Sequence, residues 1–147
     1  MEIRKIDKSE SHLVIALFDK YRVFYKQDSD LPRARKFIRA RLENNESTIF
    51  VGIDKKQAKP VGFTQLYLRY SSVRTIRNWV LNDLYVEPEF RNKGVGKKLI
   101  MGAMDFARKN GSEFLELSTA TDNFNAQNLY EKIGFSKQMP ETDFFTY

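Results

Sequence analysis

Apolar residues recur along this chain with two periods, and each change of period marks an element. Residues 2–6 alternate as a short strand, after which Val14, Leu17, Phe18, Tyr21 and Tyr25 fall on one helical face. Ser9 or Ser11 is placed to cap that helix, and Gln27 lies near its end. Residues 28–30 interrupt the pattern, and Ala34, Phe37, Ile38 and Leu42 set a second helical stripe that closes near Asn44 and Asn45. The period then drops to two. Residues 48–53 and 61–70 read as strands joined through a polar turn at 54–60, and 78–87 as a third strand. Helical spacing returns at 95–110 through Val95, Leu99, Ala103, Phe106 and Ala107, followed by a strand at 113–119 and a helix at 124–133 closed by Gly134. Two short strands near 135–138 and 143–147 end the pattern. The order βααβββαβαββ predicts one domain over 1–147, an α/β (α+β) fold in three layers, α-β-α, around a mixed, mostly antiparallel sheet.

The junction between strand 78–87 and helix 95–110 carries the most chemistry. Residues 91–97, Arg-Asn-Lys-Gly-Val-Gly-Lys, turn the chain from the strand straight into a helix. The first amides of a helix lack internal partners, the macrodipole adds positive charge there, and glycine lets backbone approach an anion with no Cβ in the way. A phosphorylated cofactor is therefore expected. The loop is not a Walker motif, because Arg91 stands where its first glycine belongs and Lys98 where its Ser or Thr belongs. Nor is it a dinucleotide fingerprint, which needs a glycine where Leu99 stands. Arg-x-x-Gly-x-Gly with Arg91, Lys93, Lys97 and Lys98 suits a pyrophosphate held by backbone donors, with no metal bound by the protein.

In the preceding strand, strict alternation puts Val80, Asn82, Leu84 and Val86 on one side and Leu81, Asp83 and Tyr85 on the other. Each face carries one polar residue. An unpaired buried carboxylate is costly, so Asn82 and Asp83 are expected either to find a partner or to face a wet cleft.

Composition narrows the classes. A chain of 147 residues, 41% hydrophobic, buries a real core without staples, and its lack of cysteine removes thiolate metal sites and a cysteine acyl-enzyme. The N-terminus alternates charged and apolar residues, and no stretch is apolar enough to span a membrane, so a cytoplasmic location with no membrane partner is expected. The net charge of +6 raises the question of nucleic acid. Arg33, Arg35, Lys36, Arg39 and Arg41, however, lie on an amphipathic helix, where such a run forms a solvated face, and the basic residues at 91–98 serve phosphate; no nucleic-acid partner is expected.

Two segments carry a resemblance. LNDLYVEPEFRNKGVGKKLI at 81–100 resembles the acyl-CoA-binding motif of the GCN5-related N-acetyltransferases (GNAT family), and NFNAQNLYEKIGF at 123–135 resembles that family's second cofactor motif, in the right order and spacing. The first is most similar to the diamine and polyamine acetyltransferase branch. The resemblance implies a GNAT-like fold and acetyl-CoA as cofactor, bound by the backbone of Leu84, Tyr85 and Val86 at the pantetheine arm, and by Arg91, Asn92, Lys93, Gly94, Val95, Gly96 and Lys97 at the phosphates. Asn123 and Ala126 follow from the second motif, though Asn123 as a helix cap needs no ligand. Val86 would offer its N–H to the oxyanion.

The same resemblance implies Tyr130 as general acid for the departing thiolate, a phenol being protonated at neutral pH; the competing reading places it in the apolar stripe of Ala126, Leu129 and Ile133. Asn82 holds a position where polyamine-acetylating relatives often carry glutamate, and an amide accepts no proton. Asp83, Glu116 or bulk solvent is left as base. His12, the only histidine, reads as a surface residue. Without cysteine, direct transfer in a ternary complex is favoured. Tyr21, Phe24, Tyr25, Asp28, Asp30 and Phe144, with Asn82, are candidates to line an acceptor pocket for a primary amine of a small molecule, aromatic faces and carboxylates suiting a cation. Two alternatives stay open: acetylation of a protein's lysine or N-terminal amine, and a non-catalytic acyl-CoA-binding module. The aromatic ending at 144–147 either pairs a homodimer or completes the sheet as an edge strand.

Overall fold

Asp7, rather than Ser9 or Ser11, starts the first helical segment. Its carboxylate accepts the Ser9 N–H at 2.8 Å while the Glu10 side chain accepts the Asp7 N–H at 3.4 Å, and the resulting 3-10 turn, Lys8–Leu13, leads into helix α1, Ile15–Phe24. Helix α2, Leu31–Glu43, starts where Asp30 accepts the Arg33 N–H at 3.1 Å and Pro32 fits the first turn. Asp30 thus has a structural task. The computed structural model describes residues 1–140 and 143–147, which divide into two compact units, 1–117 and 118–147.

In the first unit the strands β1 (Glu2–Lys5), β2 (Ser47–Asp54), β3 (Lys59–Ser71), β4 (Ile76–Val86) and β5 (Leu115–Leu117) form one sheet in chain order. All neighbours are antiparallel except β4 and β5, which are parallel. Helices α1 and α2 cover one face, where Val14, Leu17, Phe18, Ala34, Ile38 and Leu42 pack on Ile49, Val51, Phe63 and Tyr85. Phe63, fully buried, meets the edges of Phe18 and Tyr21 at 6.3 and 5.9 Å between ring centres; truncating it to Ala would cost about 3–5 kcal/mol. Helix α3, Val95–Lys109, covers the other face through Leu99, Ile100, Ala103 and Ala107, with Phe106 against Phe50 and Trp79. The expected three layers and mixed, mostly antiparallel sheet are there.

The second unit contains helix α4, Phe124–Ile133, capped by the Asn123 side chain accepting the Ala126 N–H at 3.2 Å and closed by Gly134 at φ 119°. The two terminal strands expected near 135–138 and 143–147 are not formed among the described residues. A strand exists only through a partner's ladder, and alternating apolar residues do not supply one. Part of the 139–143 connection, residues 141–142, lies outside the described residues.

Candidate active site

Where β4 ends, backbone conformation does the work. After the Pro88–Phe90 turn, Asn92 (φ 60°) and Gly94 (φ 81°) take left-handed conformations that reverse the chain into α3. The first intrahelical bond runs from the Lys98 N–H to the Gly94 carbonyl at 3.1 Å, so the amides of Val95, Gly96 and Lys97 have no acceptor inside the helix. Val95 is buried and packs over Gly52, which ties the helix start to the sheet, while Arg91, Asn92, Lys93, Lys97 and Lys98 are exposed around it. An added Cβ at Gly94 would meet nothing within 4 Å. The cradle is open, cationic and rich in free amides, which fits a diphosphate.

Beside the cradle the sheet opens. Strand β5 pairs with β4 at Trp79, Val80 and Leu81 alone. Asn78 fixes that start: its Oδ1 accepts the Glu113 N–H at 3.1 Å and the Ser112 hydroxyl at 3.3 Å, and Ser112 Oγ accepts the Trp79 N–H at 3.1 Å. From Asn82 to Val86, β4 runs on with no β5 partner. The exposed edge is partly engaged by side chains, the Tyr21 hydroxyl donating to the Asn82 carbonyl at 3.4 Å and Arg91 Nε to the Val86 carbonyl at 2.8 Å.

At the same point β4 bulges. Gln65 faces Asp83 but Leu66 faces Leu81, leaving Asn82 as the extra residue. The expected alternation therefore fails there: Trp79 packs on Phe106 of α3 while Val86, an odd seven residues further, also lies on the α3 face near Gly62, and Asp83 and Tyr85 turn toward α1 and α2. A one-residue slip exchanges the faces of everything upstream.

The bulge sends Asp83 into a buried polar cluster. Only 2% exposed, it accepts Asn82 Nδ2 at 2.7 Å and Gln65 Nε2 in a short bond, and Thr64 Oγ1 donates to its carbonyl at 2.8 Å. Burial pushes the Asp83 carboxyl above the ordinary carboxylate range, with the bonds from Asn82, Gln65 and Tyr21 opposing. Tyr21 and Tyr67 stand near it; burial and the Asp83 charge push both phenols up. Gln65 is fully buried, and its Oε1 has no donor among the described residues.

The family model described as "Acetyltransferase (GNAT) family" matches residues 13–135. The chain belongs to the GNAT family. This acetyltransferase is 42% identical over 147 residues to an uncharacterized N-acetyltransferase, YhfO, of Bacillus subtilis, covering 100% of this chain and 95% of that one. A solved structure described as a probable acetyltransferase superposes with a TM-score of 0.91 at 35% identity, covering 100% of this chain and 97% of that chain. A thialysine N-epsilon-acetyltransferase of Bos taurus is 36% identical over 74 residues, 50% of this chain and 43% of that protein. The chain is thus an acyltransferase of a family that uses acetyl-CoA as cosubstrate.

In this GNAT enzyme the residues expected at the phosphates gather at the α3 N-terminus, where the Val95 side chain is core, in keeping with its place in the helical stripe, and its amide alone faces the turn. Leu84, Tyr85 and Val86 lie along the open edge, although Tyr85 buries its ring and donates its hydroxyl to Glu87 at 3.4 Å. Tyr21, Asn82 and Asp83 come together; Tyr25 stacks edge-on to Tyr21 at 5.0 Å but is half exposed. Asp28 is exposed and engages Arg22 only through its carbonyl, at 3.3 Å. Glu116 is ion-paired with Arg69 at 2.7 Å on the surface. In the second unit, Asn123 caps α4, which carries Ala126 and Tyr130, with Tyr130 6.2 Å from Phe135 between ring centres. Sequence reasoning missed Gln65 and Tyr67, whose signal was a polar and a phenolic position two apart on β3. It also missed Asp19, which accepts Ser29 Oγ at 2.6 Å and the Asp30 N–H at 2.8 Å.

Proposed function

We propose that this acetyltransferase moves an acetyl group from acetyl-CoA to a primary amine of a small molecule, by direct transfer in a ternary complex. The observation that carries the reading is the buried Asp83 at the bulge, beside the open edge of β4, with the neighbouring Gln65 Oε1 lacking a donor. A carboxylate and an unfilled acceptor at one point suit an ammonium group. The thialysine-acetylating relative supports a small amine.

Acetyl-CoA supplies an activated thioester when bound. The amides of Val95, Gly96 and Lys97, with Arg91, Lys93 and Lys97, hold its phosphates, and the unpaired edge of Leu84 to Val86 holds its arm as an added strand would be held. Asp83 orients the amine and takes its proton, a task suited to a carboxyl raised by burial. Tyr130 protonates the leaving thiolate; its assignment rests on its place in the second motif, and Asn123 and Ala126 are assigned to the cofactor on the same ground. The family match crosses both units, which supports reading 1–147 as one N-acetyltransferase domain. Among the described residues no helix is long and apolar enough to cross a membrane.

The test is acetyl-CoA consumption over diamines, diamino acids, aminoglycosides and peptides, repeated with Tyr130→Phe. Turnover on a small amine that falls about 10²–10⁴-fold in the variant is the expected result. Turnover on peptides alone, or an unaltered rate in the variant, would overturn the substrate class or the acid respectively.

A further inference from the structure

Asp83 is only 2% exposed, so the side chains bonded to its carboxyl decide how a proton can reach it. Asn82 Nδ2 donates to Oδ1 at 2.7 Å and Gln65 Nε2 donates to Oδ2. Both are amides, which neither give up nor take on a proton near neutral pH. The other bond to the carboxyl comes from the Tyr21 hydroxyl. A phenol oxygen carries a proton to give and lone pairs that accept another. Among the side chains bonded to Asp83, Tyr21 alone can pass a proton on.

Tyr21 also stands where an incoming amine would meet it. It is half-buried on α1, its ring set edge-on to Phe63 at 5.9 Å and to Tyr25 at 5.0 Å between ring centres, and stacked on Phe18 at 6.2 Å. Packing on these rings fixes the hydroxyl. It reaches the Asn82 carbonyl at 3.4 Å, at the start of the stretch of β4 that β5 leaves unpaired. Tyr67 is the other phenol near Asp83, but its side-chain bond is to Gln65, and it lines an open cavity with Arg41 and Glu46 at the end of α2. The titratable and charged groups around Asp83 are therefore Tyr21, with Tyr25 behind it, and Tyr67, with Arg41 and Glu46 behind it.

We propose that Tyr21 is a catalytic residue that relays the proton of the acceptor amine to Asp83. An N–H bond of the ammonium breaks as its proton passes to the Tyr21 oxygen, and the Tyr21 O–H bond breaks as that proton passes to the Asp83 carboxylate. The phenol ends as it began, Asp83 ends neutral, and the nitrogen lone pair is free to attack the thioester carbon. The inference rests on the amine-transfer reading above and adds the route by which a carboxyl closed to solvent serves as its base. Burial and the Asp83 charge push the Tyr21 phenol up, so it holds its proton between turnovers.

The experiment measures kcat and KM against pH for the best acceptor among diamines, diamino acids, aminoglycosides and peptides. It compares the parent with Tyr21→Phe, Tyr67→Phe, Asp83→Asn and the double variant of Tyr21→Phe with Asp83→Asn, and follows the Asp83 carboxyl of the parent and Tyr21→Phe by infrared titration. Tyr21→Phe keeps the ring and its packing; it should lower kcat about 10²-fold or more, leave KM nearly alone, and remove the acid limb of the pH profile. Adding Asp83→Asn to it should cost less than about 3-fold more, because the two residues act as one unit. Tyr67→Phe should keep the acid limb. Loss of the Tyr21 bond should move the infrared midpoint of Asp83 up by about 1–2 pH units. A Tyr21→Phe protein that keeps the limb, changes KM alone, or loses rate independently of Asp83→Asn overturns the relay and leaves amine transfer standing. Loss of the limb in Tyr67→Phe, or an infrared midpoint that stays in place, does the same. An Asp83→Asn protein as active as the parent overturns the base and the relay together. A parent that binds coenzyme A in calorimetry but turns over no amine overturns the transfer reading, and the relay with it.

Discussion

Two glycines two residues apart answer to different constraints, and replacing each with alanine separates fold from ligand. Gly94 sits at φ 81°, where an L-residue is strained by about 1–2 kcal/mol, and no neighbouring atom adds a clash. For a chain of this size each kcal/mol lowers Tm by about 2–4 °C, so Gly94→Ala should melt about 2–8 °C earlier. Gly96 lies within the first turn of α3 and is not among the glycines with positive φ. Alanine there favours the helix by about 0.5–1 kcal/mol, so Gly96→Ala should melt later, by about 1–4 °C. Stability therefore moves in opposite directions. Coenzyme A affinity should move in one: a methyl at Gly96 stands among the free amides, and a distorted turn at Gly94 re-aims them, so each variant should lose the equivalent of a charge-assisted hydrogen bond, about 10- to 100-fold in Kd. Differential scanning calorimetry gives Tm and isothermal titration gives Kd. A Gly96→Ala protein that is more stable and binds coenzyme A as tightly as the parent would refute the phosphate cradle.

Asp83→Asn should fold, lose about 10²–10⁴-fold in kcat/KM, and lose the acid limb of the pH profile, which in the parent rises as pH climbs through the raised Asp83 value; stopped-time rates across pH check this. Asp19→Asn tests the opposite sign. Burial works to raise Asp19, but hydrogen bonds from Ser29 and the Asp30 N–H, with Arg22 at 3.7 Å, outweigh it and hold the carboxyl below its ordinary 3.8. The stability it contributes is present above 3.8 and lost as pH falls through the lower folded-state value; the variant should melt lower at pH 7 by the equivalent of about 1–3 kcal/mol and show a flatter acid limb in Tm against pH. Exposed Phe144, Phe145 and Tyr147 should support pairing of two copies, and sedimentation equilibrium should show a dimer that weakens when Phe145 becomes Ser.

The helices, the β2–β3 hairpin and the cradle were legible because each rests on local signals: an apolar stripe at helical spacing, a polar turn, glycine where the chain must reverse. Asp30 as a cap is equally local, since it stands just before the helix with Pro32 in the first turn, although its charge also suits a cation. Asp19 was invisible for the opposite reason. It sits on α1 one turn from the apolar stripe, and only the return of the chain at Ser29 and Asp30 brings it partners. The terminal strands are not formed among the described residues, since apolar alternation at 135–138 and 143–147 says nothing of a ladder to join.

The decisive miss was the Asn82 bulge, and it shows why a strand read by alternation alone misplaces a site. Counting by twos from Val80 puts Asp83 with Leu81; the extra residue instead gives Asp83 the face shared with Gln65, Tyr67 and Tyr21, and gives Val86 the face of α3. The bulge also falls where β5 stops pairing, immediately after Leu81. Two things thus coincide at one place: the β5 ladder stops, and the inserted residue rotates the only carboxyl of β4 into the acid cluster. An asparagine suits the extra position because its side-chain amide donates to the Asp83 carboxylate at 2.7 Å, while the backbone carbonyl at 82, which any residue would offer, takes the Tyr21 hydroxyl at 3.4 Å. A glutamate at 82 would set a second negative charge against Asp83, and this chain, with amide in its place, leaves Asp83 as the single charge at the bend.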